Sequence, residues 1–186
     1  MITLEEINGV SDLDFYAHVA TRCDVLGAGI GSRPAVWEAA VGPDYLDDPG
    51  DGLLRRDYGL VELSFSDVEG SPSCFGISVQ VHRLVHGPCV PAALEREYGE
   101  FAPRPRFEGL RRAVLSLGCT VEPDDLTGSI HRYRVPESGV RIFVFADPDP
   151  HGGGSRGVDA SETGRASSVS SLSVSPSWWG AVPGGV

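Results

Sequence analysis

Apolar and polar residues alternate along several stretches of the chain, and this period of two predicts β-strands. In the clearest stretch, Val61, Leu63 and Phe65 alternate with Glu62 and Ser64, so one face of the strand is apolar and the other is polar. Turn-like sequences separate the stretches, which is typical of antiparallel hairpins. The pattern predicts strands at 53–58, 60–66, 75–83, 129–135 and 140–146.

Other segments repeat their apolar residues every three to four positions, and this spacing predicts helices. One such segment is 11–24. In the segment 34–41, Ser32 stands where it can cap the helix, and Pro34 is a favoured residue of a first turn. A third helix is predicted at 106–117.

The order of helix and hairpin occurs twice along the chain. Gly59 and Gly139 each stand between two strand-like stretches, and a helix-like stretch precedes each hairpin. A further alternating stretch, with Val169, Leu172 and Val174, supplies a third strand for the second unit. The sequence therefore predicts an α+β fold in which two helix-plus-antiparallel-hairpin repeats form one extended antiparallel sheet with the helices on one face.

The predicted elements divide the chain into two units and a tail. Residues 1–100 hold an acidic N-terminal helix and the first helix-β-β-β repeat. Residues 101–179 hold the second helix-β-β-β repeat, with a flexible insertion rich in Gly, Ser and Asp at 148–168. Residues 180–186 are expected to form a disordered tail.

The charge of the chain restricts the class of partner. The formal net charge is -11, and residues 1–70 carry 14 Asp and Glu against 4 Arg. A negative field repels phosphate groups, so a nucleic acid or an anionic membrane is not an expected partner, whereas a basic protein is. Solubility alone is the simpler explanation of the acidity.

The composition also indicates the source and the compartment. All 15 basic residues are arginine, and Gly, Ala, Val, Asp and Pro are abundant, which indicates a bacterial genome of high GC content. The start of the chain is acidic where an export signal needs a positive flank, so a cytoplasmic location is expected. In that reducing compartment, Cys23, Cys74, Cys89 and Cys119 are expected to be free thiols that act as small hydrophobes.

Gly27, Gly29 and Gly31 stand two positions apart, which is a pattern of loops that bind phosphate groups. A dinucleotide-binding fingerprint needs a third glycine where Ser32 stands, and it needs a parallel strand beyond the helix. An antiparallel hairpin pattern follows here instead. We therefore favour a flexible turn that leads into a capped helix, and we expect no cofactor.

Cys74, His82, His86 and Cys89 are a candidate set of metal ligands. The set lacks a Cys-x-x-Cys pair, and His82 falls on a predicted strand whereas His86 falls in the turn after it. Convergence on one ion is therefore not implied. We expect purified protein to carry no stoichiometric zinc.

No catalytic set of residues stands out. Ser64, His82 and Asp57 have the side-chain types of a nucleophile, a base and an acid, but no Gly-x-Ser-x-Gly elbow accompanies them. The acidic segment 47–51 lies in a predicted Pro/Gly loop and lacks the closing glutamate of a calcium loop. A solvated turn is its simplest interpretation. The protein is therefore expected not to be an enzyme.

Part of the chain resembles known folds. One helix-loop-hairpin unit is carried by the stretches Leu26 to Ser32, Val41 to Pro43, Leu53 to Tyr58, Gly59 and Leu60 to Phe65. This unit resembles that of the β-lactamase-inhibitor-protein-like folds, in which one chain holds two such units. It also resembles small acidic immunity proteins encoded beside polymorphic toxins. The resemblance covers about residues 26–84 and, more faintly, 105–175, and it implies a binding module whose sheet or loops occupy a partner's site.

The leading functional hypothesis is an immunity-type inhibitor that neutralises a basic toxin domain by electrostatic complementarity. Acidic side chains would steer the encounter with a cationic active site. Two tryptophans would either anchor the partner or close the core of the second repeat. The expected partner-binding residues are Asp47, Asp48, Asp51, Asp57, Glu62, Trp178 and Trp179.

The alternative hypothesis is a small anionic-ligand-binding protein or an enzyme with a cleft between the repeats. Arg55 and Arg56 stand at the start of the first hairpin, and Arg132 and Arg134 stand at a comparable place in the second. Together these guanidinium groups would hold an anion. Arginines that alternate on an exposed strand usually serve solubility alone.

Overall fold

The computed structural model describes residues 10–68, 70–146 and 167–176. The helices in these residues are α1 (Asp12–Arg22), α2 (Pro34–Val41), a 3-10 helix (Val81–His86), α3 (Ala92–Tyr98) and α4 (Phe107–Ser116). The strands are β1 (Asp24–Val25), β2 (Ala28–Gly29), β3 (Leu46–Gly50), β4 (Leu53–Asp57), β5 (Val61–Val68), β6 (Ser71–Val79), β7 (Glu122–Asp125), β8 (Ile130–Val135), β9 (Val140–Phe145) and β10 (Ser168–Val174). None of the described helices has the length and apolar character needed to cross a membrane. Predictions that lie outside the described residues concern Trp178, Trp179, the tail 180–186 and nearly all of the 148–168 insertion.

Eight of the strands form one antiparallel sheet in the order β3-β4-β5-β6-β10-β9-β8-β7, and β1 pairs with β2 in a separate hairpin. This arrangement confirms the predicted α+β class and the antiparallel sheet. The strands predicted at 53–58, 60–66, 129–135 and 140–146 each match an observed strand. The last of the described strands, β10, lies between β6 and β9 in the middle of the sheet.

The strand predicted at 75–83 is wrong beyond Val79, because β6 ends there and a 3-10 helix follows. Val81 and Leu84 are both buried and stand three positions apart. That spacing places both on one side of a 3-10 helix. His82 therefore lies in this helix and not on a strand.

The register places the apolar strand residues on one face of the sheet. Leu63 lies opposite Ile77, and Leu172 lies between Val79 and Ile142. All five are at most 1% exposed. The buried residues of α1, α2 and α4 belong to the same cluster, so these helices and one face of the sheet share one core.

Helix α1 lies inside this core. Phe15 and Tyr16 are at most 1% exposed, and both rings pack edge-on against Phe101. Asp14 fixes the start of the helix by accepting hydrogen bonds from the N–H and the hydroxyl of Ser11. Because α1 contacts α3, α4, β9 and β10, the N-terminal helix packs largely on elements from the second half of the chain.

The glycine-rich stretch is a small hairpin, so the prediction of a flexible turn is wrong. The N–H of Gly31 donates to the carbonyl of Cys74, and the N–H of Cys74 donates to the carbonyl of Ser32. These bonds fix the hairpin to β6. The prediction that Ser32 caps α2 is also wrong, because the N-cap is Arg33, with no side-chain cap among the described residues, and the Ser32 hydroxyl accepts from Gly29 instead.

The acidic segment predicted as a loop is the edge strand β3. Asp47 and Asp48 lie on this strand, in which every residue is exposed, and Asp51 alone of the three lies in the turn to β4. The opposite edge is β7, also not predicted. The two edges read Leu-Asp-Asp-Pro-Gly and Glu-Pro-Asp-Asp. Both contain Asp and Pro, which are depleted in strands, so the sequence pattern does not predict these two strands.

Candidate functional site on the open face of the sheet

The side chains that alternate with the core residues form the open face of the sheet. Their neighbours across the strands follow from the register, and charged residues lie on both flanks with serines at the centre. One row of directly paired residues crosses all eight strands: Leu46, Asp57, Glu62, Ser78, Ser173, Arg141, Arg134 and Glu122.

Carboxylates and guanidinium groups alternate on one flank of the open face. This ion-pair network consists of Asp48, Arg55, Glu62, Arg83 and Asp57. Arg55 lies 3.6 Å from Asp48 and 3.9 Å from Glu62. Arg83 donates to Glu62 at 2.8 Å and to Asp57 at 2.9 Å. Strands β3, β4 and β5 therefore carry the carboxylates side by side, and the 3-10 helix brings Arg83 to two of them.

Arg83 also ties this network to the backbone. It donates to the carbonyl of Gly59 at 2.9 Å, and the N–H of Gly59 donates to Asp57 at 2.7 Å. The turn between β4 and β5 is thereby fixed to the 3-10 helix. Sequence reasoning missed Arg83, because no spacing rule links a residue after one strand to carboxylates on two others.

Asp47 faces the other side of the sheet and is not part of the network. Arg56, which is 4% exposed, donates to both carboxylate oxygens of Asp47, at 2.8 and 2.9 Å, and to the carbonyl of Pro34. Its guanidinium group lies 3.5 Å from the centre of the Tyr45 ring. The expectation of a free loop carboxylate at Asp47 is therefore wrong, because Asp47 holds Arg56 in place.

A shallow depression of 450 Å³ lies beside the ion-pair network, and its lining includes Tyr45, Leu46, Tyr58 and Arg83. The two tyrosine rings meet edge-on, 5.4 Å apart, and Leu46 is 77% exposed. Burial raises the pKa of Tyr58, and a hydrogen bond to Glu38 raises the pKa of Tyr45. Both phenols are therefore neutral near pH 7, and the depression offers an apolar contact beside charged groups.

Three hairpin-end carboxylates, Asp48, Asp51 and Asp67, lie near one end of β3, β4 and β5. The N–H of Asp67 donates to the carbonyl of Gly52 at 3.0 Å, which brings the end of β5 to the turn that contains Asp51. Asp48 is 73% exposed. Asp51 and Asp67 have no ion pair within the described ranges. This end of the sheet therefore presents free negative charge.

The predicted site residues separate into groups. Asp48, Asp57 and Glu62 come together on the open face, whereas Asp47 faces the core side and Asp51 lies in a turn. The arginines of the alternative hypothesis are all engaged with carboxylates. Besides Arg55 and Arg56, these are Arg132, which donates to Asp124 at 2.6 Å, and Arg134, which donates to Glu122 at 2.9 Å.

The arrangement offers charges and hydrogen-bonding groups. Asp57 and Glu62 both accept hydrogen bonds from Arg83. Cys74 is buried in the core. Within residues 10–68, 70–146 and 167–176, no three His, Cys, Asp or Glu side chains are placed to hold one metal ion.

Comparisons with known proteins identify no relative of this chain. No protein-family model, curated protein or solved structure matches the chain. Any function therefore rests on the residues and the geometry of the open face.

Proposed function

We propose that the protein is a non-enzymatic protein-binding module, an immunity-type inhibitor that neutralises a basic toxin domain. The observation that carries the proposal is the ion-pair network on the open face, with free carboxylates at one end and an apolar depression at its side. A surface of this kind combines steering charge with contact area. Those are the two properties that a binding surface for a basic protein needs.

The hairpin-end carboxylates supply the long-range attraction. Asp51 and Asp67 are exposed, and their field reaches about 8 Å at physiological ionic strength. Such charges raise the rate of association with a cationic partner more than they slow dissociation. Added salt is therefore expected to slow the association.

The ion-pair network supplies the short-range contacts. Arg55 is 54% exposed and holds its two carboxylates at 3.6 and 3.9 Å, longer than the contacts of Arg83. A Lys or Arg of the partner would replace Arg55 on Glu62 at little cost, because an ion pair of 3.9 Å that involves a half-exposed arginine contributes little stability. Leu46 and Tyr45 in the depression would meet an apolar side chain of the partner.

The two-repeat architecture belongs to the same proposal. The strand order is symmetric about the β6-β10 pair, because β5, β4 and β3 follow β6 outward just as β9, β8 and β7 follow β10. Each half has a helix, an edge strand, a hairpin and a central strand. Each half also pairs an arginine with a carboxylate of its edge strand on the open face, Arg55 with Asp48 and Arg134 with Glu122. These likenesses support a duplication in which each unit holds four strands, one more than the sequence pattern indicates.

The proposal predicts that a basic toxin domain is encoded beside the gene for this protein, and that domain is the partner in the test. The double variant Asp51→Arg with Asp67→Arg is expected to slow association at least about tenfold and to change dissociation little. Stability should shift by less than about 0.5 kcal/mol, because both residues are exposed. Stopped-flow association and urea unfolding measure the two effects. Asp47 is left unchanged, because its reversal would remove the partner of Arg56.

A matched control carries the same change of charge elsewhere. Glu95 and Glu97 are exposed residues of α3, and the variant Glu95→Arg with Glu97→Arg is expected to slow association far less. Equal slowing by both double variants would show that net charge alone matters. If the wild-type protein neither binds the toxin domain nor protects cells that express it, the proposed function is wrong.

A further inference from the structure

A second cavity, the α1-α4 cavity, lies where the N-terminal ends of helices α1 and α4 meet. Its volume is 390 Å³, within the range typical of sites for small molecules. Leu13 of α1, Pro105 before α4 and Gly109 of α4 contribute to its walls. None of its lining residues belongs to the ion-pair network or to the depression beside it.

Arginines dominate the charge of the α1-α4 cavity. Arg104, Arg106 and Arg112 line it, and Arg106 and Arg112 have no carboxylate within 4 Å among the described residues. Six other arginines, which stabilise the sheet, each lie within 4 Å of a carboxylate. These are Arg55, Arg56, Arg83, Arg132, Arg134 and Arg141.

The carboxylates near the α1-α4 cavity are already engaged. Asp12 is 9% exposed and accepts a hydrogen bond from the N–H of Ala102 at 2.9 Å. Glu108 lies 3.6 Å from Arg111, which is not part of the lining. Asp12 keeps its negative charge, and the charge of Glu108 is offset by Arg111. Arg106 and Arg112 still leave the lining with a positive balance, although the chain carries -11. Within one Debye length, about 8 Å at physiological salt, these local charges outweigh the distant ones.

Two properties of the α1-α4 cavity define the chemistry of a ligand. A guanidinium group presents parallel N–H donors that match the oxygens of a phosphate group. The side chains of Leu13 and Pro105 are apolar and offer contact to an organic group. An anion joined to a small apolar body satisfies both properties.

We propose that the α1-α4 cavity binds a small organic phosphate. Arg106 and Arg112 donate hydrogen bonds to the phosphate oxygens, and Leu13 and Pro105 contact the organic group. The site is separate from the open face, so the proposal does not depend on the toxin-inhibitor function. Binding involves no covalent step.

Phenyl phosphate is the probe for this site. Isothermal titration of the full chain is expected to give saturable binding to one site, with perturbed NMR amide signals at Ala102 and Gly109. The variants Arg106→Gln and Arg112→Gln are each expected to weaken binding at least about tenfold, because each removes charged hydrogen bonds to the anion. Both arginines are exposed, so the variants should fold as the wild type does.

Arg96→Gln is the matched control, because it removes an exposed positive charge that lies outside the lining and has no carboxylate within 4 Å among the described residues. Its affinity should stay within about twofold of the wild type, because a single exposed charge outside the cavity is largely screened by salt. Equal weakening by Arg96→Gln and Arg112→Gln would overturn the proposal, since long-range charge would then explain the binding. Absence of saturable binding up to about 10 mM, an affinity below the millimolar range, would also overturn it. Benzoate or phenol binding as tightly as phenyl phosphate would overturn the assignment to phosphate.

Discussion

Gly59 occupies a position in the turn between β4 and β5 that a larger residue does not fit. Its φ is +86°, and a Cβ there would overlap the carbonyl oxygen of Cys89. The same oxygen accepts a hydrogen bond from Leu60 at 2.8 Å, so it is not free to move. We expect Gly59→Ala to lower the free energy of unfolding by more than about 2 kcal/mol, because backbone strain and displacement of the Cys89 segment add together.

Gly139 provides the control for Gly59, since it stands in the corresponding turn of the second hairpin. Its φ is +75°, and a Cβ would have no atom within 4 Å in the part of the chain that the structure describes. Gly139→Ala should therefore lower the free energy of unfolding by only about 1 kcal/mol, which is the backbone strain of a positive φ. Urea unfolding of both variants measures the difference, and equal losses would contradict the role of Cys89. The sequence makes the two glycines look equivalent, because the contact comes from a distant segment.

The Cys74 thiol makes the free energy of unfolding decrease at alkaline pH. Burial raises the pKa of this thiol from 9.0 to about 12, so the folded protein keeps a proton that the unfolded chain loses. The stabilisation is complete below pH 9 and is lost as the pH rises toward 12. Between pH 8 and pH 10, the free energy of unfolding should fall by about 1.4 kcal/mol on account of this thiol.

Urea unfolding of the wild type and of Cys74→Ala at the two pH values isolates the effect of the thiol. The variant loses packing at both pH values, so the difference between them is the informative quantity. That difference should be smaller for the variant. An equal difference in both proteins would assign the alkaline loss to other groups.

At the scale of elements, the two edge strands protect the sheet against pairing with another molecule. In β3 and β7, Pro49 and Pro123 lack the N–H that a further strand would need, and carboxylates surround both prolines. We expect Pro49→Val to increase the self-associated fraction in analytical ultracentrifugation. Pro103→Val, an exposed change outside the sheet, should not do so, and equal behaviour of the two variants would contradict edge protection.

Elements with a strong periodic pattern could be predicted, and those without one could not. Strands β5 and β9 bury alternate residues, so the sequence gives their positions closely. Strand β7 is exposed along its whole length and exists because β8 offers it a partner. Helix α3 has Pro91 before it and Gly99 after it, but it buries only Leu94 among its residues, so its apolar pattern is weak.

At the scale of the whole molecule, the acidic character could be predicted and its distribution could not. The sequence predicts excess negative charge in residues 1–70. Which carboxylates stay free depends on the sheet register and on the course of the 3-10 helix, which bring Arg83 to Asp57 and Glu62. The sequence does not indicate Asp67 for the same reason, because its proximity to the β3-β4 turn exists only in the folded sheet.

The central place of β10 has a consequence for the order of events during protein synthesis. Among the described strands β10 is synthesised last, yet it separates β6 from β9. Until it emerges, both of these strands have an unpaired edge, and the residues of β6 and β9 that pair with β10 include no proline and no carboxylate. A nascent or truncated chain is therefore more prone to aggregate than the complete protein. Closure of the sheet therefore waits for the synthesis of these seven residues.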